Sequence, residues 1–497
     1  MGTTPRLCYE IFVRSFCDSN GDGIGDLQGI ISKLDYLQEF GVEAIWLTPV
    51  HPSPSYHKYD VTDYYSIDPE FGTLADFQEL IQEAHKRKIA VLLDLIINHT
   101  STTHPWFLEA AKGSHNEYRN YYWWKTQEEI DQLGIASRQA SEDSQEVYPW
   151  HDIPGDPEMY YGLFFSGMPD LNFHSAALRN EFVRIMTFWL IEMEVDGFRI
   201  DAARHIYPTW EQEHNHTFWS FFKEAVQKIK QGAFTVGEIW AGSEEVAPYY
   251  QGLHATFNFD LSFKIQELLV SQKNNGLIEM LLRAHRLYAS HNRGFIDAIM
   301  LTNHDQERIA SVVKQDIKKV KQAASILLTL PGQPYLYYGE ELGMLGTKPD
   351  PHIREPFLWS SDPSDKARPN WIEPIFSTMG NVTPLAEQQK DPGSIWNHYK
   401  KLIDLRLAHP ALNSVEEPNI TPYQIDHPQV LAFTRQSSEE QLLIIHYLGS
   451  HPCKIPFTVP FQFTVLFSFR SGVDWIGKRL LLKSHSLLVL QLRNIGE

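Results

Sequence analysis

Cysteine is scarce in this sequence: Cys8, Cys17 and Cys453 are three in 497 residues. Their odd number and wide spacing, with no CxxC, exclude a disulfide framework and a cysteine-based zinc site. Positive charge is also short. Lys and Arg number 43 against 62 Asp and Glu, a net charge of −19. So acidic a chain repels phosphate backbones and anionic lipid, which excludes nucleic acid and a membrane surface as expected partners. No apolar run reaches the roughly 18 residues of a membrane helix. The opening MGTTPRLCYE lacks the apolar run that follows a basic start in a secretory leader. The chain as given therefore reads as cytoplasmic, or as secreted or periplasmic if a leader has been removed. No GxGxxG follows an early strand-like run, which weighs against an open dinucleotide-binding sheet.

What is present is an ordinary globular mixture, 43% hydrophobic and 21% charged. Its length suits about three domains, or one large barrel with additions. Short apolar, β-rich runs alternate with amphipathic stretches. LCYEIFVRSF (7–16), EAIWLTPV (43–50), IAVLLDLIIN (89–98), GFRIDAA (197–203), FTVGEIW (234–240), ATFNFDL (255–261), FIDAIMLTNH (295–304) and PYLYYGEEL (334–342) read as strands. GIISKLDYLQEF, TLADFQELIQEAHKR, ALRNEFVRIMTFWLIEM, FWSFFKEAVQKIK and VKQAASILLTL read as helices, the second opened by a Thr73–Asp76 capping box. Repeated β-then-α units imply a parallel sheet with both faces buried. Eight units predict an α/β fold of the closed (β/α)8 TIM-barrel type, with a doubly wound sheet as the alternative. Residues 100–167 break the alternation after the third strand and read as an inserted domain. QVLAFTRQ, QLLIIHYL and HSLLVLQL point to a C-terminal antiparallel β-sandwich. The expected layout is a barrel over 1–99 and 168–410, an insertion over 100–167 and a sandwich over 411–497.

In such a barrel the chemistry sits at the C-terminal ends of the strands. The third strand ends in Asp94, Asn98 and His99. The fourth carries Arg199 and Asp201, with His205 just beyond; the fifth ends at Glu238; the seventh ends in Asn303, His304 and Asp305. Three carboxylates, Asp201, Glu238 and Asp305, thus converge on one mouth. A structural ion pair explains Arg199 and Asp201, two apart on one strand face, as readily as catalysis does. It does not explain three carboxylates with two His and an Arg at matched strand ends. Clustered carboxylates, one kept protonated, suit glycosidic bond cleavage. Aromatics are 13% of the chain; most pack cores, and the rest offer flat platforms to sugar rings.

DSNGDGIGD (18–26) begins like an EF-hand calcium loop. The closing Glu of an EF-hand is missing, because the twelfth position is Gly29, and the stretch before it reads as a strand. The residues alone leave two readings, an oxygen-rich cation loop or a Gly/Asp turn.

In DLIINH, GFRIDAARH, GEIW, LTNHD and MPDLN (168–172) the chain resembles the α-amylase family, glycoside hydrolase family 13. Its motifs lie between those of the oligo-1,6-glucosidase and neopullulanase groups. The resemblance runs from YEIFVRSF through REPFLW and implies the same barrel, insertion and C-terminal β domain. It implies Asp201 as nucleophile, Glu238 as general acid/base and Asp305 as transition-state stabiliser. Arg199 would orient Asp201, His99 and His304 would bond the glucose in the −1 subsite, and Tyr59 would stack on it. Asp350 and Arg354, in DPHIREPF, would grip the same glucose. His205 and Trp240 would meet the substrate beside them, and Trp123 or Trp124 would add a further platform. Relatives of oligo-1,6-glucosidase hold a structural calcium ion in a loop like 18–26. Here its ligands would be the Asp18, Asn20, Asp22 and Asp26 side chains and the Ile24 carbonyl. A second family site would use Asn98, Asp170 and the His205 carbonyl.

By the same resemblance, Ala202 after the nucleophile favours α-1,4 over α-1,6 bonds. Tyr56 stands where oligo-1,6-glucosidases carry an Asp that closes the pocket. The absence of an extra N-terminal domain favours a monomer. The expected enzyme is a retaining α-1,4-glycosidase acting on maltooligosaccharides or starch. An α-glucosidase, a transglycosylase or phosphorylase, and a non-catalytic carbohydrate-binding relative are the alternatives. The last should have lost a carboxylate, and all three are present.

Overall fold

The computed structural model describes residues 4–134, 148–362, 364–415, 419–457, 462–474 and 477–493. Residues 135–147 of the expected insertion therefore lie outside the described residues, as do 416–418, 458–461, 475–476 and 494–497 of the expected C-terminal domain. Three parallel strands open the fold: β1 (Cys8–Ile11), β2 (Ala44–Leu47) and β3 (Ala90–Leu95). A small antiparallel sheet of β4 (Trp124–Thr126), β5 (Trp150–His151) and β6 (Glu158–Tyr161) follows. Parallel strands resume with β7 (Gly197–Ile200), β8 (Phe234–Gly237), β9 (Ala255–Phe257), β10 (Ile296–Met300) and β11 (Gln333–Tyr337). In space the eight parallel strands close into a barrel in the order β1-β11-β10-β9-β8-β7-β3-β2. Seven fall inside the runs read as strands, and the eighth, β11, starts one residue before its run, at Gln333.

Strand alternation places the site. Side chains two apart share a face, so Ala90 and Leu92 on β3, Ala44 and Trp46 on β2, and Phe234 and Val236 on β8 fill the barrel interior. The intervening Val91, Leu93 and Ile45 pack outward in the shell of helices. Continuing each inward series to the strand's end reaches Asp94 on β3 and Glu238 just after β8. Asp94 pairs in register with Arg199 of β7. The same parity that packs the apolar floor therefore stacks charged groups on top of it.

Local sequence sets the helix limits. Thr73 and Asp76 cap the helix Leu74–Lys86 reciprocally, as the spacing predicts. The single helix expected over GIISKLDYLQEF is two, Leu27–Ser32 and Leu34–Phe40, broken at Lys33. The break keeps Leu27 and Ile30 as well as Leu34, Leu37 and Phe40 buried against the barrel. Helix Ala176–Thr187 runs on into a π turn, Phe188–Glu192, that buries Trp189 and Leu190.

The C-terminal antiparallel β domain is present, its strands joined in one hydrogen-bonded network. It comprises β12 (Ile420–Pro422), β13 (Val430–Gln436), β14 (Gln441–Tyr447), β15 (Cys453–Pro456), β16 (Gln462–Asp474) and β17 (Arg479–Arg493). Phe433, Leu442, Ile444 and Leu487 on one face join the main core, while Leu443, Ile445, Leu480 and Leu490 form a separate core. His446 and Arg435 hydrogen-bond Thr329 on the helix Ile317–Thr329 and fix the domain to the barrel. Among the described residues all three cysteines are free thiols, and no helix is long and apolar enough to cross a membrane.

Candidate active site

Arg199 is fully buried and organises the charged layer. Its Nη1 donates to Asp94 at 2.8 and 3.0 Å and to Asp201 Oδ1 at 2.8 Å, while Nη2 donates to Glu238 Oε2 at 2.6 Å. The guanidinium carbon lies 4.9 Å from the Trp46 ring centre, and Trp46 Nε1 donates to Asp94 Oδ2 at 3.1 Å. Ala202, directly after Asp201, is held in the left-handed region at φ 45°. Its amide donates to Glu238 Oε2 at 3.3 Å. Backbone strain at such a position marks a site whose geometry is over-determined by its surroundings.

The third carboxylate has its own cations. Asp305 accepts from Arg354 Nη2 at 2.7 Å and lies 3.0 Å from His304 Nε2. His304 Nδ1 is 2.6 Å from buried Glu10, and its ring stacks on Tyr59 at 5.4 Å and 6°. Tyr59 hydroxyl donates to Asp94 at 3.2 Å, which joins the two halves of the layer.

The three acids are graded. Burial pushes Glu238 up to about 7; Arg199 opposes it, and the charges of Asp201 and Asp305 add to it. Burial also lifts Asp201 to about 6, with Arg199 opposing. For Asp305 burial is outweighed by His304 and Arg354, so this carboxyl stays well below the usual range. Burial would lower His304, but Asp305 and Glu10 carry it to about 10, an imidazolium that donates on both sides. His99 is lowered to about 4 by burial and is a neutral imidazole. Between about pH 6 and 7 this makes Glu238 the more protonated partner of Asp201, beside a firmly anionic Asp305.

These groups open into a cleft of about 670 Å³. Tyr59, His99, Asp201, His205, Glu238, Trp240, Asp305, Asp350 and Arg354 line it, and Arg199 and His304 lie buried in hydrogen-bond contact beneath it. Trp240 is braced by stacking on Phe259 at 4.3 Å and 13°. Every barrel residue singled out from the sequence as catalytic or substrate-binding is thus at the cleft or directly under it. The family profile described as "Alpha amylase, catalytic domain" matches residues 10–414.

The chain belongs to the α-amylase family. It is 43% identical over 443 residues to a protein named alpha-amylase 3 from Dictyoglomus thermophilum, covering 89% of this chain and 84% of that one. It is 37% identical over 403 residues to a 4-alpha-glucanotransferase of Thermotoga neapolitana, covering 80% and 86%. The crystal structure of an alpha-amylase from H. orenii superposes with a TM-score of 0.88 at 39% identity, over 98% of this chain and 99% of that one. The protein is a glycosidase of this family.

Other positions in this α-amylase barrel differ from expectation or were missed. Trp123 is buried and donates to the Leu171 carbonyl, while Trp124 packs beneath the Arg119 guanidinium at 3.4 Å. Neither lines the cleft, so both stabilise the inserted segment and neither is a sugar platform there. Tyr56 does line the cleft; it stacks on Trp371 at 5.2 Å and accepts a hydrogen bond from Arg354 Nη1 at 3.0 Å. The phenol thus engages the same arginine that an acid at this position would pair with. Glu10 and Trp46 received no role from the sequence, and Asp94 was noted without one. Extending the inward parity from Cys8, Ala44 and Leu92 finds all three. Phe164, Phe165, Met168 and Lys348 on the rim come from loops, which carry no periodic signal.

In the 18–26 loop, Asp18 accepts backbone N–H bonds from Asn20, Gly21 and Gly23, Asp22 accepts from Ile24, and Asp26 caps helix Leu27–Ser32. Gly23 needs φ +92°, and a Cβ on Gly25 would collide with the Val13 carbonyl oxygen, so backbone packing alone requires these glycines. The donor set is all oxygen, with Asn20 and Asp22 exposed, and its chemistry fits a hard cation. The Asp18, Asp22 and Asp26 carboxylates do not all lie within 4.8 Å of one another. At the second expected site, the Asn98 side-chain amide itself donates to the His205 carbonyl at 2.5 Å and to Asp170 at 3.4 Å.

Proposed function

We propose that this glycosidase hydrolyses α-1,4-glucosidic bonds of maltooligosaccharides and starch with retention of the anomeric configuration. The observation that supports it is that one buried guanidinium bonds the Asp201 and Glu238 carboxyls through its two Nη atoms at the cleft floor, with burial raising both acids. In the first step ionised Asp201 attacks the anomeric carbon. The C1–O bond breaks, its electron pair goes to the leaving oxygen, and Glu238 delivers its proton there. In the second step Glu238, now a carboxylate, takes a proton from water, whose oxygen attacks C1 and releases Asp201. Asp305, kept anionic by His304 and Arg354, faces the positive charge that develops on the sugar. Tyr59, His99, Asp350 and Arg354 hold the glucose being transferred, and His205 and Trp240 meet the leaving chain. A calcium ion held by Asp18, Asn20, Asp22, Asp26 and the Ile24 carbonyl would brace the chain after β1. None of these five residues lines the cleft, so the reading gives the ion a structural role.

Identity to a Thermotoga glucanotransferase favours a second reading, transfer of the glycosyl group to another sugar. It uses the same intermediate and differs only in the acceptor. A product time course on maltoheptaose, panose and pullulan, with and without added maltose, separates the readings. Hydrolysis predicts short maltooligosaccharides from maltoheptaose, little change with maltose, and an α-anomer as the first product by NMR. A β-anomer would overturn retention, and products longer than the substrate would favour transfer.

A further inference from the structure

Among the described residues, one group of three metal-capable side chains has all its ligand atoms within 4.8 Å of one another: His174, Glu211 and His214. The ligands come from two chain segments. His174 lies in the turn before helix Ala176–Thr187, and its amide donates to Asn172 Oδ1 at 3.0 Å. Glu211 closes the 3-10 turn Thr209–Glu211, and His214 opens helix His214–Ile229. His174 Nε2 is already hydrogen-bonded to the Glu211 carboxylate. Both imidazoles pack against buried Tyr207, at 4.9 and 5.4 Å, and meet each other edge to face at 5.2 Å. Both imidazoles remain exposed, so an ion can reach them from solvent.

We propose that His174, Glu211 and His214 bind one divalent transition-metal ion, zinc in the first place, as a surface clamp. Two imidazoles and a carboxylate are borderline donors that suit Zn²⁺, Ni²⁺ or Cu²⁺, whereas Ca²⁺ and Mg²⁺ take all-oxygen sets. Three protein ligands leave a fourth tetrahedral position for water. The rings are oriented in advance by their contacts with Tyr207, so little side-chain freedom is lost on binding. The clamp would tie the chain leaving the inserted sheet to the loop after β7. That loop carries Arg204 and His205 at the cleft, and its Trp210 packs on Trp150 and Tyr161 of the insertion.

The full-length protein, stripped with chelator, is titrated with ZnCl2 by calorimetry and melted with Zn²⁺ or Mg²⁺ present. Co²⁺ absorption reports ligand geometry. The wild type should bind one Zn²⁺ at this site, melt higher with Zn²⁺ by a shift that the His174→Ala/His214→Ala double variant loses, and give tetrahedral-type Co²⁺ bands. His174→Ala and His214→Ala should each weaken Zn²⁺ binding by at least about tenfold, and Glu211→Gln should weaken it while keeping the shape of the site. Failure of the wild type to bind Zn²⁺, or equal affinity and equal melting response in the His174→Ala/His214→Ala double variant, overturns the proposal. His174 and His214 are exposed and Glu211 is half-buried, so circular dichroism matching the wild type should accompany each variant.

Discussion

Arg199→Met removes the cation that Asp94, Asp201 and Glu238 share. Methionine fills part of the same space but donates nothing, so four charge-assisted hydrogen bonds of 2.6–3.0 Å are lost. Removing one partner from a buried ion pair costs about 3–5 kcal/mol, and here the cost should depend on pH. In the wild type these three carboxyls sit near 6, 6 and 7 when folded, against roughly 4 in an unfolded chain. Their folded values are raised, so the folded state binds more protons and loses stability as pH rises through that window. Without Arg199 the folded values climb further. Each carboxyl that the variant keeps protonated after the wild type has released its proton adds about 1.4 kcal/mol of deficit per pH unit. The variant should therefore lie close to wild type near about pH 5 and fall behind between about pH 6 and 8. Urea unfolding followed by tryptophan fluorescence at several pH values measures the difference. A deficit that stays constant across the range would refute the claim that Arg199 acts by opposing the burial-driven rise of these carboxyls.

Asp201→Asn should abolish hydrolysis while leaving circular dichroism unchanged, because the amide cannot form the glycosyl ester; near-normal turnover would remove its assignment as nucleophile. The wild-type kcat/KM profile should be a narrow bell. It should rise as Asp201 ionises near about 6 and fall as Glu238 loses its proton near about 7; a flat profile through both values would contradict the acid assignment. Calcium should raise the melting temperature and EDTA lower it, by a stabilisation of about 2.7 kcal/mol at a hundredfold excess over Kd. Asp22→Ala should lose that response; identical melting in wild type and variant, with and without calcium, would make the loop only a turn. Tyr56→Asp should shift early products of maltoheptaose toward glucose, since a carboxylate can ion-pair with Arg354 where the phenol only accepts one hydrogen bond; release of glucose alone by the wild type would refute the expectation that Tyr56 leaves the pocket open to longer chains.

The barrel was legible because its strands are short apolar runs at regular intervals, and alternation along them is a strict geometric rule. Asp201, Glu238 and Asp305 could be found for the same reason: a charge at the end of an apolar strand stands out. Glu10 and Trp46 did not, since one acid inside YEIFVRSF and one Trp inside EAIWLTPV look like ordinary strand content. Only the closed barrel brings Glu10 to His304 and Trp46 to Asp94. The helix break at Lys33 left no Pro or Gly signal at that position. The His174, Glu211 and His214 group was invisible in sequence, since its members come from segments 37 and 40 residues apart.

The floor and the rim of the cleft are made by different kinds of chain. Asp94, Arg199 and Glu238 are carried on or at the ends of barrel strands, whereas Tyr56, His57, Phe164, Phe165, Lys348 and Asp350 come from connecting segments. Lineages can therefore rewrite the rim while the proton chemistry beneath it is inherited intact. Directed evolution that randomised 56–57, 164–168 and 348–349 should yield variants with new chain-length preferences and an unshifted pH optimum, so that selectivity and reactivity drift as separate traits.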